Sequence, residues 1–389
     1  MVGAAHEAND ELVRHAGLQR DPRAWLRIGP VPLPVVSPAR VYVCGITPYD
    51  VTHLGHAATF VWADAAVRVL RATGTDVVTC RNVTDVDDVL TAGASERGRY
   101  YDELAATQEF LFDRAMRELR VAAPTHSPRA GAHVDAVVQL AEALVALGAA
   151  YPRDGSVYLR GNAVPERLGL ERGEALRLLR EFGDRPDDPH RDDPLDVAVW
   201  QSSGPGDPAW PSPWGAGRPG WHAECAAMAV SLLGGRVDLL AGGADLTFPH
   251  HAYQAAMAEA VTGCAPFSRA RLAVGTVRTG GEKMAKSTGN LVLVADLLDK
   301  VAAPVLRLLL LDRAWARPWD FEESMLGPAA ERLDRLYTAA GRRAGSPESA
   351  VEIVRRSLLA DLDVPAALDV AEESGGSAAR LALRTLALD

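Results

Sequence analysis

A strand–helix–strand pattern in residues 41–80 constrains the fold of this chain more than any other feature. An apolar strand begins at Val41, and a helix with apolar residues at spacings of three and four follows over about residues 57–73. Gly74 ends that helix, and DVVTC, residues 76–80, is typical of a second, β-branched strand. Two strands joined by one helix in this way run parallel, so the pattern predicts an α/β fold with a parallel sheet.

The turn between the first strand and the helix carries side chains that can do chemistry. In VYVCGITPYDVTHLGHA these are Cys44, Thr47, His53 and His56. The two histidines are three residues apart and share one face of a helix. A helix that begins after a strand favours an anion, because its first amides are unpaired and its dipole attracts negative charge. The stretch therefore suits a polyphosphate, although a packed corner with two solvated histidines is the simpler interpretation of these residues alone.

Composition limits the class of protein. With 389 residues and 48% apolar residues, the chain can form one large domain with insertions, or two to three domains. It has no apolar run of about 18 residues, which predicts no membrane span and no membrane partner. Its charged first residues lack the apolar core of a signal peptide, which predicts a cytoplasmic location. A net charge of −10 gives no support to broad nucleic-acid binding, although one local basic patch is compatible with it.

Four segments are predicted along the chain. Residues 1–40 form a Pro-rich lead-in with an edge hairpin, and residues 41–295 form the α/β domain. An inserted subdomain at about 98–200 interrupts that domain, first helical and then mixed, with a hairpin at Asp154–Gly155. Residues 296–389 have an apolar period of three to four residues, which predicts a C-terminal α-helical bundle.

Three distant loops carry possible metal ligands. They contribute Cys44, Cys225, and the pair His250 and His251. Two cysteines and a histidine match a zinc site with an open fourth position. The four cysteines of the chain are spread widely, which argues against a disulfide framework, but isolated cysteines are more often core residues than ligands. The residues alone leave both interpretations open.

Two other polar stretches are ambiguous in the same way. RNVTDVDD contains Asp85, Asp87 and Asp88, which suit either a Mg²⁺ site or a capped turn. EKMAKS contains Lys283 and Lys286 on a loop with flanking glycines. Mobile lysines of this kind suit the neutralisation of a phosphoryl group, and a solvated surface loop has the same composition.

Several of these stretches together resemble one family. HLGH at 53–56 resembles the HIGH signature of class I aminoacyl-tRNA synthetases, and KMAKS at 283–287 resembles their KMSKS loop. CGITPYDVTHLGHA, RNVTDVDD, SPWGAGRPGWHAEC, DLTFPHH and KMAKSTGN are similar to the cysteinyl branch over about residues 40–370. Within that branch the chain is most similar to the mycothiol ligases, which join cysteine to glucosaminyl inositol using ATP. A cysteinyl-tRNA synthetase would continue into an anticodon-binding domain, whereas only about 100 residues follow Lys286 in this chain.

The resemblance implies a fold and a set of site residues. The implied fold is a class I synthetase-like Rossmann nucleotide-binding domain with an inserted subdomain and a C-terminal helical bundle. The implied ligands of one Zn²⁺ per chain are Cys44, Cys225 and His250, and the implied cysteine-binding residues are Gly45, Thr47 and Trp221. The implied contacts of ATP, used with Mg²⁺, are His53, His56, Gly243, Asp245, Lys283 and Lys286, of which the histidines and lysines act in catalysis. The implied reaction activates L-cysteine as cysteinyl-adenylate and transfers it to a small amine.

The chain departs from the synthetase pattern at a few positions. Where the synthetases have HHENE this chain has HHAYQ, so Gln254 replaces a glutamate that is a fourth zinc ligand. Mycothiol ligases also lack that glutamate. Ala252 replaces a glutamate that both groups usually keep, and Ala285 stands at the third position of KMSKS. Three alternatives stay open: a cysteine–amide ligase with another amine in a different pathway, a truncated cysteinyl-tRNA synthetase, and a synthetase-like module without activity. The sequence does not indicate an oligomeric state.

Overall fold

The computed structural model describes residues 25–49, 51–204, 206–284, 288–342 and 345–389. Its strands are β1 (Arg27–Ile28), β2 (Val31–Pro32), β3 (Ala39–Ile46), β4 (Val77–Val83), β5 (Ala150–Arg153), β6 (Ser156–Leu159), β7 (Val197–Ser202), β8 (Gly217–Pro219), β9 (Val237–Gly243), β10 (Ser268–Val274), β11 (Val277–Thr279), β12 (Glu282–Lys283) and β13 (Trp319–Asp320). Its helices are α1 (Leu54–Ala72), α2 (Asp88–Glu96), α3 (Tyr101–Glu118), α4 (Val134–Ala146), α5 (Arg172–Glu181), α6 (Trp221–Leu233), α7 (His250–Thr262), α8 (Val294–Leu298), α9 (Ala303–Leu311), α10 (Leu326–Ala340), α11 (Glu348–Leu359), α12 (Val364–Ser374) and α13 (Gly376–Thr385).

A parallel sheet of four strands in the order β10-β9-β3-β4 forms the centre of the molecule. Val41 of β3 pairs with Thr79 on one side and Leu239 on the other. Helix α1 makes the crossover between β3 and β4, so the predicted strand–helix–strand unit is confirmed. Strands of such a sheet are covered on both faces, which explains why β3 reads as a continuous apolar run.

Most element boundaries extend beyond those predicted. Helix α1 begins at Leu54, because the ring of His53 accepts a hydrogen bond from the Gly55 amide and caps the helix. Strand β4 continues past Cys80 through Arg81 and Asn82, which are buried although they are polar. Polar side chains can be buried in this way when they have hydrogen-bond partners. A pattern of apolar residues does not show those partners, so the end of the strand was not predicted.

A second, antiparallel sheet of order β5-β6-β7-β8 lies in the region predicted as an insertion. The predicted hairpin is present, with Asp154 and Gly155 at φ of 46° and 81° in the turn between β5 and β6. This sheet continues to Pro219, past residue 200 where the insertion was predicted to end. It shares a hydrophobic core with α4, α6 and α7. Its loops are therefore fixed relative to the C-terminal end of the parallel sheet.

The C-terminal helices pack on α1 and share its hydrophobic core. Arg307 of α9 is fully buried there and donates hydrogen bonds to the carbonyl oxygens of Leu386 and Leu119, at 2.6 and 2.8 Å. It also pairs with Asp64 of α1. The predicted helical character of residues 296–389 is confirmed for the residues described. A β1–β2 hairpin is present in the lead-in, as predicted, but it is a separate two-stranded sheet and not the edge of a larger one. Residues 1–24 of the lead-in lie outside the described residues. None of the described helices combines the length and apolarity that crossing a membrane requires.

Candidate active site

Two cysteines and a histidine meet at the C-terminal end of the parallel sheet. Cys44 lies near the end of β3, Cys225 in the second turn of α6, and His250 at the start of α7. One ligand atom from each lies within 4.8 Å of the other two, and all three residues are buried. The His250 Nε2 atom is 3.2 Å from the Cys225 sulfur. In the described part of the chain, this is the one group of three or more His, Cys, Asp or Glu side chains with such spacing.

The environment of this cluster fits a metal ion. Burial, followed by the neighbouring Cys225, raises the pKa of the Cys44 thiol well above its ordinary value. Two buried thiols side by side cannot both ionise without a cation between them. The His250 Nδ1 atom lies 3.0 Å from Nδ1 of His222, so the second ring nitrogen has a partner, as in metal-binding histidines. Two sulfurs and one imidazole nitrogen are a donor set that suits zinc.

Gln254 faces the same cluster one helical turn after His250. The Cys44 thiol donates a hydrogen bond to its Oε1 atom at 3.6 Å, and Gln254 is fully buried. An amide in place of the glutamate leaves three strong donors and a neutral neighbour. This is the arrangement of a site that keeps one coordination position for a substrate.

Of the predicted cysteine-binding residues, Trp221 and Gly45 lie beside the cluster, and Thr47 contacts Thr84. The Trp221 ring lies 4.2 Å from the His250 ring and stacks at 6.4 Å on Phe182, a residue that sequence reasoning missed. The Thr47 hydroxyl is 2.7 Å from that of Thr84. Gly45 has a packing reason to be glycine, because a Cβ there would lie 1.6 Å from the Asn82 carbonyl oxygen. Direct contacts of these residues with a substrate stay predictions.

The histidines of HLGH lie at the N-terminus of α1. Their rings stack, with centroids 3.8 Å apart. Burial, followed by the charges of His53 and Lys283, lowers the pKa of His56 to about 3. His56 is therefore neutral near pH 7 in the free protein and can act as a hydrogen-bonding group. The simpler interpretation of the sequence, a packed corner with two solvated histidines, does not fit this stacked, half-buried pair.

Lys283 lies across from the histidines on strand β12. Its Nζ atom is 2.6 Å from an Asp245 carboxylate oxygen and 5.6 Å from the centre of the Phe182 ring. Gly243 permits this arrangement, because a Cβ at that position would lie 2.4 Å from Asp245 Oδ1. The structure thus brings together five residues of the predicted nucleotide-binding set, namely His53, His56, Gly243, Asp245 and Lys283. Lys286, predicted to act with Lys283, lies outside the described residues, as does Ala285.

The acidic run after β4 forms a capped turn. Asp87 caps α2 by accepting a hydrogen bond from the Val89 amide, and Asp85 accepts one from the Gly131 amide. Asp88 pairs with Arg218 at 2.6 Å. Each carboxylate therefore has its own partner. Of the two interpretations left open by the sequence, the structure favours the capped turn over the Mg²⁺ site.

Asn82 is the other functional candidate that sequence reasoning missed. Its side-chain NH₂ group donates to the Cys225 sulfur at 3.2 Å, and its Oδ1 accepts from the Gly45 amide at 2.9 Å. A polar residue at the buried end of strand β4 was the available signal. The signal can be interpreted only once the pairing of β3 with β4 is known, and the sequence does not reveal that pairing.

Comparisons with known proteins agree with this geometry. The family model described as tRNA synthetases class I (C) catalytic domain matches residues 35–331. The L-cysteine:1D-myo-inositol 2-amino-2-deoxy-alpha-D-glucopyranoside ligase of Streptomyces griseus is 45% identical over 337 residues, which are 85% of this chain and 82% of that protein. The ligase of the same name from Kribbella flavida is 42% identical over 363 residues, 91% and 89% of the two chains. The Mycobacterium tuberculosis methionyl-tRNA synthetase in complex with methionyl-adenylate has a TM-score of 0.63 at 15% identity, covers 91% of this chain and 82% of its own, and bears on the fold alone.

The fold and the matched domain define a catalytic domain of the class I aminoacyl-tRNA synthetase type. Within that class, the chain belongs to the family of cysteine:glucosaminyl-inositol ligases, the mycothiol ligases, and is an enzyme that forms a carbon–nitrogen bond. The predicted fold class and the resemblance drawn from HLGH, KMAKS and the longer motifs are both confirmed.

Proposed function

We propose that this enzyme activates L-cysteine as cysteinyl-adenylate and transfers the cysteinyl group to the amine of glucosaminyl inositol. The observation that carries the proposal is the Cys44–Cys225–His250 cluster, which lacks a fourth charged ligand because position 254 is glutamine. The relatives named above are ligases for cysteine and this amino sugar. The proposed site in the cell is the cytoplasm, and neither nucleic acid nor membrane is a proposed partner.

The cluster would hold one Zn²⁺ per chain. When bound, zinc supplies a cation that holds the substrate thiol as thiolate, a bond that a serine hydroxyl does not match. An apolar pocket alone separates such near-isosteric side chains poorly, by roughly 10²-fold. Trp221 packs on His250 and walls this pocket, and Thr47 lies close enough to Cys44 in the chain to orient the amino-acid end of the substrate.

In the first step, a carboxylate oxygen of cysteine attacks the α-phosphorus of ATP and pyrophosphate leaves. His53 and His56, the latter unprotonated in the free protein, would donate hydrogen bonds to the phosphates at the N-terminus of α1, where the helix dipole also favours negative charge. Lys283, together with Lys286 and the Mg²⁺ that accompanies ATP, would neutralise charge that develops on the leaving group. Asp245 would hold the adenosine once Lys283 moves to the phosphates.

In the second step, the neutral amine attacks the acyl carbon of the adenylate, an amide bond forms, and AMP leaves with the bonding electrons. The amine loses its extra proton to solvent. The protein mainly positions the two reactants within about 3–3.5 Å, because the adenylate already carries the activated acyl group.

The decisive experiment compares AMP release in the presence of ATP, cysteine and one acceptor at a time. Glucosaminyl inositol should give rapid turnover and a product with the mass of its cysteinyl amide. Other small amines and bulk tRNA are the comparison acceptors. If only a different amine gave turnover, the proposed acceptor would be wrong and the proposed two-step reaction would stand. Cysteinylation of tRNA without turnover of any small amine would overturn the proposal.

The acceptor needs a test of its own because Ala252 departs from the usual glutamate. Ala252 is 5% exposed and packs in the core beneath the antiparallel sheet, together with Phe248 and Tyr253. Because of this departure, an alternative amine acceptor stays open. Pyrophosphate exchange with cysteine reports on the activating step without an acceptor, so it is the assay that separates activation from acceptor choice.

A further inference from the structure

A single amide side chain connects the two cysteines of the metal cluster. Asn82 lies near the end of β4 and is 1% exposed. Its NH₂ group donates to the Cys225 sulfur at 3.2 Å, and its Oδ1 accepts from the amide of Gly45, the residue after Cys44, at 2.9 Å. One side chain therefore touches the sulfur of one ligand and the backbone that carries the other.

The backbone at this point is as closely packed as the side chain. The pairing of β3 with β4 is irregular between Val43 and Ile46, and Gly45 lies against the Asn82 backbone there. An irregularity of this kind re-aims the neighbouring side chain. In β3 that neighbouring side chain is Cys44. Asn82 therefore fixes the direction of the Cys44 sulfur through the backbone and the direction of the Cys225 sulfur through a hydrogen bond.

We propose that Asn82 is a positioning residue for the metal cluster, acting through a hydrogen bond from its amide to the thiolate of Cys225. This inference rests on the proposed metal site. A hydrogen bond to a charged acceptor is roughly twice as strong as one between neutral groups, so this bond suits a sulfur that is bound to a metal ion.

The magnitude follows from what partners of metal ligands contribute elsewhere. Removing such a partner typically lowers metal affinity by about 10–100-fold. The same loss leaves more electron density on the sulfur. In a Co²⁺-substituted protein, the sulfur-to-cobalt charge-transfer band should then move to longer wavelength, because the sulfur lone pair is no longer lowered in energy by the N–H group.

The test uses the full chain, metal-free and reloaded with Zn²⁺ or Co²⁺. Asn82→Leu keeps the number and branching of the side-chain heavy atoms and removes both hydrogen bonds, and Asn82→Ala is the second variant in case the first does not fold. Cys80→Ala is the matched control, since Cys80 is fully buried on the same strand, two residues away, and is not in the ligand cluster. Competition with a chelator measures Zn²⁺ affinity, and absorption spectroscopy locates the cobalt band.

Either Asn82 variant should bind Zn²⁺ about 10–100-fold more weakly and show the red-shifted band. The control should keep the wild-type affinity and band position. Wild-type affinity together with an unshifted band in a folded Asn82 variant overturns the inference. A red shift of the same size in Cys80→Ala also overturns it, because the effect would then come from general loosening of β4. Absence of metal binding by the wild-type protein is a different result, which rejects the proposed metal site itself.

Discussion

The two halves of the candidate site are built in opposite ways. The sulfur half contains Cys44, Cys225 and His250, each at most 3% exposed, and is held by hydrogen bonds with Gln254, Asn82 and His222. The phosphate half contains Lys283 and Asp245, whose side chains are 53% and 35% exposed. The comparison indicates that recognition of a small thiol needs a fixed pocket from which water is excluded. Polyphosphate binding can instead use exposed charges that change partners when the ligand binds.

The largest effect should come from breaking the sulfur half. We expect Cys225→Ala to lower bound zinc from about one per chain to near zero and pyrophosphate exchange by about 10³-fold or more, since a donor to the metal is lost. Metal analysis and exchange assays with cysteine measure both. Cys80→Ala should leave both nearly unchanged. Full zinc occupancy in Cys225→Ala would mean that the metal lies elsewhere.

The next largest effect should come from the phosphate half, with the sulfur half intact. Lys283→Ala and Lys286→Ala should each slow adenylate formation by roughly 10²–10³-fold, because one charge that stabilises the transition state is lost. Zinc content and cysteine affinity should change little, and both are measured on the same samples. Undiminished pyrophosphate exchange in Lys286→Ala would show that the loop assignment is wrong.

A smaller effect should follow when the sulfur half is given a fourth charged donor. Gln254→Glu has the same shape and places a carboxylate beside Cys44. It should tighten zinc binding by about 10-fold and raise the KM for cysteine, since the protein then competes for the position left to the substrate. Chelator competition and steady-state kinetics measure the two changes. An unchanged zinc affinity would place residue 254 outside the reach of the metal.

The smallest effect should be a proton taken up by the phosphate half. The pKa of His56 is lowered from 6.5 to about 3 in the free protein, so His56 is unprotonated at pH 6. Phosphates bound beside it favour the charged form and raise that pKa. ATP binding should then take up more protons in the wild type than in His56→Asn, and the difference should grow as the pH falls from 6 towards 5. Calorimetry in two buffers of different ionisation enthalpy measures the difference. Equal uptake by the two proteins would place the phosphates away from His56.

The parts of the fold that depend on neighbouring residues were predictable. The β3–α1–β4 unit and the Asp154–Gly155 turn follow from local periodicity and turn chemistry. The residues alone left the metal cluster open beside a core interpretation, because Cys44 is far from Cys225 and His250 in the sequence and no spacing rule connects them. The family resemblance decided between the two. Asn82 was missed altogether. Its role comes from strand pairing, which places a polar side chain against a sulfur 143 residues away.

The site residues on the phosphate side show a different limit. The sequence predicted Lys283 and Asp245 as nucleotide contacts, and the structure pairs them with each other. A pattern of residue types cannot distinguish a side chain that binds a ligand from one that pairs with another side chain of the protein. The exposure of both side chains explains why the pair contributes little to stability, about 0–1 kcal/mol for such surface pairs, and can separate when ATP binds.

The buried pair between Asp64 and Arg307 also has a consequence for how the chain is made. The two residues lie 243 positions apart, and Arg307 is on a C-terminal helix that leaves the ribosome late. Until then, the face of α1 that the C-terminal helices cover has no packing partner, and Asp64 is paired with Arg68, one turn along the same helix at 2.7 Å, but not yet with Arg307. The early half of the nascent chain therefore exposes an apolar helix face until residue 307 has emerged, and exposed apolar surface of this kind is prone to aggregation.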